Sequence, residues 1–430
     1  MTRLFSRRAM LATGAATSVA ALGACRGAPQ TSGTDAASLR LAWWGNPTRN
    51  EATNTVIGLY TAAHPTVTIS GESGEFDSYW KRLATQTAGN DMPDVIQMDM
   101  RYIREYGDRG ALLDLEKYGL STTDFAPGTA DAGRTDDGLV GINAGVNAPV
   151  ILANPALFDR AKVDLPDDTS WTWDDLSEVA RALSRNSGGK FFGTATSVGG
   201  IAGLEFWVRQ HGKQLYDANG LAFGADEVLP LFTWLKGLVD SSAAPSPAAI
   251  TEDEARPLAQ KMFATGQVAM ASYWSNQVAA LDEATQQDLT ILHYPSHSGS
   301  LGEAQYWFKA SMLWSASARS AHPEAAVALI DFLVNGEEAA KVIRAERGMP
   351  PNSRVRALIE PDFSSSDKKA AKFLADLEAV VADAPMPPPP GSSGVDDALS
   401  RQTSELIFGR TTAEQAAEAF IAESRAELQR

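Results

Sequence analysis

The stretch "LRLAWWGNPTRNEATNTVIGLYTAAHPTVTIS", residues 39–70, carries the reading that decides the fold. Its first seven residues are a short apolar run closed by Gly45, Asn46 and Pro47, which predicts a strand ending in a turn. Val56, Ile57, Tyr60 and Ala63 then recur at helical spacing until Pro65 stops the helix, and residues 67–70 return to a β-prone composition. The unit repeats as a helix over 78–89, a strand over 93–99 and a helix over 103–113. Alternation of this kind predicts a parallel α/β sheet.

Further along, "GLVGINAGVNAPVILANPALF" (138–158) holds several short β-prone runs, and helices are predicted at about 173–186, 204–211 and 225–241, so a second α/β lobe begins there. "KMFATGQVAMASYWSN" (261–276) reads as the end of a helix, a turn at Gly266 and a strand. "LTILHYPS" (289–296) and "FKASMLWSAS" (308–317) read as further strands, and 323–348 as one or two helices. The tail predicts helices near 367–383, 395–408 and 413–429, with Gly409 ending one and Thr411 with Glu414 capping the next. "APMPPPPGSSG" (384–394) predicts a stiff polyproline connector.

The first 24 residues read differently. A basic start, "MTRLFSRR", precedes a small-residue apolar run shorter than the ~20 residues that a membrane-spanning helix needs, which predicts a signal peptide. Ser6 to Leu11 resembles the twin-arginine export motif, and Leu22, Gly23, Ala24 and Cys25 resemble the bacterial lipobox. Cys25 is the sole cysteine of the chain, so it has no partner for an internal disulfide, a zinc cluster or a redox pair. The expectation is that Cys25 is lipidated as the mature N-terminus, with residues 26–38 as a flexible tether. The folded body would then stand on the outer face of the cytoplasmic membrane, held by lipid alone.

The formal charge is −16 over 430 residues; removing residues 1–24 takes away Arg3, Arg7 and Arg8 and no acid, leaving −19. Such a surface repels phosphate backbones and anionic headgroups, which argues against nucleic acid and direct membrane binding.

Within this framework the chain resembles the extracellular solute-binding proteins of the carbohydrate-uptake ABC transporter group, the family that includes maltose-binding proteins. The resemblance is carried in order by Tyr79 to Leu83 with "AGNDMPDVIQMD", by residues 110–115, and by "NPALFDRAKVDLPDDTSWTWDDL". It continues through "MFATGQVAMASYW", "HPEAAVALIDFLVNGE" and "FGRTTAEQAAEAF". It implies a periplasmic-binding-protein fold: two α/β lobes, several crossover strands and a ligand clamped in the cleft between the lobes. Lobe one is expected over 39–137 plus 289–347 and lobe two over 138–288 plus 348–430. It also implies a monomer that captures a mono- or oligosaccharide and delivers it to a membrane permease, without catalytic residue, metal or cofactor. Two departures fall near the implied cleft: Ala153 and Asn154 where relatives often have a tyrosine before the asparagine, and Tyr306, Trp307 and Phe308 where many have glycines.

Ligands of open α/β sheets bind outside the C-terminal ends of strands, and sugars ask for flat aromatic faces beside planar polar groups. In lobe one those ends present Trp44, Asn46, Glu72, Asp99 and Arg101. Neighbours on a strand point to opposite faces, so Trp43 is expected in the core and Trp44 at the cleft. From lobe two and the late strands come Asn147, Trp207, Tyr273, Trp274, Tyr306 and Trp307, with Trp274 the leading aromatic platform implied by the family; Trp171 is read as a packing residue at the start of a helix. Asp99 and Arg101 also read as a surface ion pair.

Five scattered histidines, no GxSxG elbow and a glycine pair at 188–189 without P-loop spacing give no catalytic constellation. Among 53 acidic residues a glycosidase carboxylate pair stays open, so a lipid-anchored glycoside hydrolase is the enzymatic alternative. A structural or adhesive surface protein is a third. Polyols and glycerol-phosphate diesters are alternative solutes.

Overall fold

The computed structural model describes residues 36–126, 129–217, 220–382, 385 and 388–429. The expected signal peptide, the lipidation site Cys25 and most of the tether lie outside the described residues. The first strand, β1 (Ala37–Trp44), is followed by the helix Pro47–Ala63, whose first turn is set by Pro47 and by Asn46, whose Oδ1 accepts the Arg49 N–H at 2.8 Å. Strand β2 (Val67–Gly74), the helix Phe76–Ala88, β3 (Val95–Met98) and the helix Met100–Gly107 continue the predicted alternation. A hairpin of β4 (Gly133–Thr135) and β5 (Gly138–Asn143) completes the early part of this sheet.

Next comes the short β6 (Val146–Asn147), then β7 (Pro149–Ala153), β8 (Phe192–Thr194), the two-stranded ribbon β9 (Tyr216–Asp217) and β10 (Gly220–Leu221), β11 (Val268–Trp274) and β12 (Thr290–Leu292). The predicted strand at 308–317 is two strands, β13 (Lys309–Ala310) and β14 (Leu313–Ala316), broken at Ser311 and Met312. The lobe-one sheet has the order β2-β1-β3-β14-β5-β4, parallel among β1, β2 and β3, with β14 antiparallel to β3. The lobe-two sheet has the order β12-β7-β11-β8. Each sheet is covered on its faces by helices, and this gives the two-lobed α/β fold.

The lobe-one sheet is buried on both faces. Leu39, Leu41 and Trp43 pack with Val56, Tyr60 and the helix Pro323–Asn335 on one side. Ala42 and Trp44 pack with Tyr79, Trp80, Leu83 and Met98 on the other. Lobe two has its own core, built around β7 and β11 and the helices Trp173–Asn186, Ile201–Gln210 and Ala225–Asp240. Tail helices Ser392–Ile407 and Ala413–Glu427 pack against Ala225–Asp240 through Leu399, Phe420 and Phe232. The last of these starts with a capping box between Thr412 and Gln415, one residue beyond the predicted Thr411 and Glu414 pair. The Thr411 hydroxyl is instead buried without a hydrogen-bond partner, because Thr412 is the residue whose backbone is extended at the turn.

Pairing moves the expected lobe boundaries. A break between 137 and 138 would cut the β4–β5 hairpin, and β5 pairs with β14 in the first sheet. Strand β12, expected in lobe one, pairs with β7 in the second sheet, and Tyr306 and Trp307 belong to the lobe-two core.

Three segments connect the lobes side by side. Strand β13 pairs with β6, and Val146 exchanges both backbone hydrogen bonds with Met349 at 2.7 and 2.8 Å. The Ser311 N–H reaches the Gly145 carbonyl at 2.7 Å. Glycine is required twice where these segments touch. A Cβ on Gly145 would meet the Arg347 carbonyl at 2.1 Å, and Gly348 has φ +97° with a Cβ position 2.8 Å from the Val146 carbonyl.

Candidate ligand-binding cleft

Beside the crossover segments lies a cavity of ≈ 360 Å³ to which both lobes contribute. Lobe one supplies Asp99, Arg101, Thr129, Asp131 and Asn143, and lobe two supplies Glu205, Gln214, Tyr216, Trp274 and Asp396. Trp307, Phe308 and Lys309 line it from the second crossover.

The lobe-one wall is built at the end of β3. Asp99 is the N-cap of Met100–Gly107: Oδ1 accepts the Arg101 N–H at 2.9 Å, and Oδ2 pairs with Lys309 Nζ at 3.2 Å. Burial pushes this carboxyl up, but Lys309 and Arg101 outweigh it and hold Asp99 below the usual carboxylate range. Arg101 reaches across to the tail helix Ser392–Ile407, where its Nη1 lies 2.7 Å from Asp396 Oδ2. Ser392 Oγ donates to the Arg101 carbonyl at 3.2 Å, and Glu105 Oε1 accepts the Gly391 N–H at 3.1 Å and the Ser393 hydroxyl at 3.0 Å. The two lobes therefore already touch along this line.

The opposite wall is aromatic and electrostatically less settled. Trp274 ends β11, and Lys309 Nζ sits 4.8 Å from its ring centroid. Trp307 is buried against Phe206 at 4.8 Å and lies under the Arg209 guanidinium at 5.4 Å. Glu205, one turn before Arg209 on the same helix, is 8% exposed, and its Oε1 has no hydrogen-bond partner. Arg209 Nη1 stands 3.9 Å from it, beyond hydrogen-bond length. Burial pushes the Glu205 carboxyl up to about 7, and Arg209 only partly counters it. Asp396 is also pushed up, by burial that outweighs the pull of Arg101.

Of the residues predicted from sequence, the cavity brings together Asp99, Arg101, Trp274 and Trp307, and Asp99 and Arg101 are not each other's ionic partners. The others lie elsewhere. Trp44 is buried among Phe76, Tyr79 and Trp80, at 5.4 to 5.6 Å, because the helix Phe76–Ala88 covers that face of the sheet. Asn46 is spent on capping a helix, and Glu72 pairs with Arg40 at 2.7 Å on the outermost strand. Asn147 sits in the crossover and donates to Asn276 Oδ1 at 3.0 Å. Trp207 is core, 5.1 Å from Trp173, with its indole N–H on the Glu227 carbonyl at 3.1 Å. Tyr306 is fully buried, its hydroxyl accepting the Tyr294 N–H at 2.6 Å. Tyr273 points to a separate lobe-two cavity of ≈ 220 Å³, beside Phe263.

Sequence reasoning missed Glu205, Lys309, Asp396, Asp131 and Tyr216. Glu205 carried a readable signal, a single acid inside the apolar helical run "IAGLEFWV". Lys309 and Asp396 carried none, since their place depends on the crossover and on the return of the tail. Among the described residues no helix is long and apolar enough to cross a membrane, and no group of three or more His, Cys, Asp or Glu could hold a metal ion.

Comparison with known proteins adds three findings. A curated relative, an uncharacterized lipoprotein encoded 5′ of oleD in Streptomyces antibioticus, is 28% identical over 149 residues, which is 34% of this chain and 32% of that protein. The matched stretch is thus about a third of that relative's length. Among solved structures, a periplasmic oligogalacturonide binding protein from Yersinia enterocolitica, in complex with saturated digalacturonic acid, superposes with a TM-score of 0.82 at 20% identity, covering 91% of this chain and 99% of that one. An ABC substrate-binding protein from Listeria monocytogenes in complex with cycloalternan gives 0.78 at 21% identity, covering 92% and 98%. At such identities the likeness speaks to the fold, which is theirs. The family model described as bacterial extracellular solute-binding protein matches residues 55–372, most of the folded body. With two lobes, three crossovers and a cavity between them already in place, this chain belongs to the bacterial extracellular solute-binding protein family.

Proposed function

We propose that this protein is the solute-capturing subunit of an ABC importer and that its solute is a carbohydrate. The observation that carries the reading is the interlobe cavity of ≈ 360 Å³, which Trp274 and Trp307 line together with Asp99 and Arg101. Stacked C–H faces and paired hydroxyl hydrogen bonds need that combination, and the volume falls in the range of roughly 300–1,000 Å³ usual for small-molecule sites. The saccharide complexes of the Yersinia and Listeria proteins support this class of solute.

Lobe one comprises about 37–143 with 313–343, lobe two about 149–308 with 350–429, and the rotation between them is taken up by the crossovers. Only a closed form lets both walls touch one solute, so solute favours closure by its differential contacts. Cys25 anchors the mature monomer by lipid to the outer face of the cytoplasmic membrane, and the closed form presents the solute to the permease. Chemistry on the solute has no part in this cycle.

A thermal-shift screen across sugars, polyols and glycerol-phosphate diesters tests the solute class. A ligand at about 100 times its dissociation constant adds about 2.7 kcal/mol of stability. Shifts confined to polyols or phosphodiesters would replace the carbohydrate assignment. For a verified ligand, small-angle scattering should give a smaller radius of gyration than the free protein, and an unchanged radius would overturn closure.

A further inference from the structure

The cavity wall contributed by lobe two holds one polar atom that the protein leaves unanswered. Glu205 Oε1 is buried, lines the cavity and has no hydrogen-bond partner. Buried polar atoms are nearly always satisfied, and one left open at a binding cavity is a place that a ligand atom can fill. Other carboxylates of the cavity are already answered: Asp99 by Lys309 at 3.2 Å, Asp396 by Arg101 at 2.7 Å, and Asp131 by Arg134 at 2.8 Å. Arg209 pairs with Glu205 only through space: its Nη1 stops 3.9 Å away, beyond hydrogen-bond length, while its guanidinium lies over Trp307 and donates to Gln214 Oε1 at 3.4 Å.

We propose that the solute is a saccharide bearing a protonated amine, and that Glu205 is the residue that selects it, by accepting a charge-assisted hydrogen bond from that ammonium on Oε1. The assignment rests on the carbohydrate reading of the cleft. An ammonium supplies both things the site lacks, a donor within reach of Oε1 and a compensating positive charge, whereas a sugar hydroxyl supplies only the first. Positive charge is short in the cavity as a whole. Four lining carboxylates, Asp99, Asp131, Glu205 and Asp396, face two lining cations, Arg101 and Lys309. Both carboxyls of the lobe-two side, Glu205 and Asp396, are held above their ordinary range by burial that the neighbouring arginines do not offset. Trp274 and Trp307 fit the same solute, because an indole face attracts a cation as well as a sugar ring.

The groups that bear on Glu205 are Arg209 on its own helix and Tyr216 on β9, and Tyr216 in turn feels Asp396 on Ser392–Ile407 and Arg101 on Met100–Gly107. Burial raises the phenol of Tyr216, which is neutral near neutral pH and puts no charge beside Glu205. Lowering the pH below 7 therefore weakens the amine preference by protonating Glu205 itself.

The experiment uses titration calorimetry on the full-length mature protein with matched amine and hydroxyl pairs: glucosamine with glucose, galactosamine with galactose, and the β-1,4-linked glucosamine dimer with cellobiose. At least one amine should bind about tenfold or more tighter than its hydroxyl partner at pH 7, with the ratio shrinking at pH 5.5. In Glu205→Gln the ratio should collapse to within about threefold, and the melting temperature of the ligand-free variant should equal or exceed the parent, showing that it folds. A neutral sugar from the wider screen binding while no amine does, or a preference retained in the variant, would overturn the amine assignment and leave the carbohydrate reading standing. No saccharide of either kind binding would overturn both.

Discussion

The two walls of the cleft solve the same problem of burying charge in different ways. On the lobe-one wall Asp99 is spent three times over, as helix cap, as partner of Lys309 and as neighbour of Arg101, and its carboxyl is held down. On the lobe-two wall Glu205 lies inside an apolar helix with one oxygen unanswered, and its carboxyl is held up to about 7. A charge whose partners are built in contributes to the fold, whereas a buried charge without them costs stability that a bound solute can return. On the proposed reading, lobe one is thus the finished half of the site and lobe two the half that a solute would complete.

Removal of the aromatic platform should give the largest effect. If the proposed closed cleft stacks Trp274 on the solute, Trp274→Ala costs about 2 to 4 kcal/mol, or roughly 30- to 1000-fold in affinity. Calorimetry of free and bound protein separates this from a core role: a variant that melts far lower without solute yet binds at the parental affinity would move the platform to Trp307.

Glu205→Gln sharpens the contrast through stability. Because the folded carboxyl sits at about 7 against a reference of 4.5, the ionised form penalises the folded state. The penalty is absent at pH values below the reference, grows between the two, and is full above 7. The variant should therefore be more stable than the parent by up to about 3 kcal/mol at pH 8 and indistinguishable from it at pH 4. Equal denaturant midpoints at pH 8 would break the comparison between the walls.

Asp99→Asn probes the finished wall with the opposite sign. Asparagine keeps the cap but not the ion pair, so the variant should lose about 2 kcal/mol near neutral pH. As the folded carboxyl of Asp99 is depressed, its stabilisation is present above the unfolded value and disappears as the pH falls through the folded one. The deficit of the variant should shrink as the pH falls into the acid range, and chemical denaturation at pH 7 and pH 3 would show the narrowing. Glu72→Gln, on the outermost strand, touches neither wall. Its pair with Arg40 is partly exposed, so the change should cost about 0–1 kcal/mol and leave affinity unaltered; a large affinity loss would place the site elsewhere.

How far the site was legible depends on whether it was encoded locally. Asp99 and Arg101 could be placed at the cavity because a strand followed by a helix points to its own C-terminal end, and that end lines the cavity. The same logic misplaced Trp44: the end of β1 is closed off by Phe76, Tyr79 and Trp80, and a sheet covered on both faces has no open side for alternation to point to. Tyr306 and Trp207 misled for a related reason. Aromatic composition announces burial as readily as binding, and their hydroxyl and indole N–H turn out to be spent on the Tyr294 N–H and the Glu227 carbonyl.

The sequence by itself determined the alternation of strands and helices, the existence of two α/β lobes and the turn positions, because periodicity, caps and prolines act within a few residues of one another. Only the tertiary structure decided which lobe owned β5 and β12, since that depends on which edge each strand finds to pair with. It alone set Lys309 over Trp274 and Asp396 beside Arg101, contacts between residues 35 and 295 positions apart in the chain. And it alone left Glu205 Oε1 without a hydrogen bond. Whether a buried charge is satisfied is a property of everything packed around it, and no local stretch of chain contains that information.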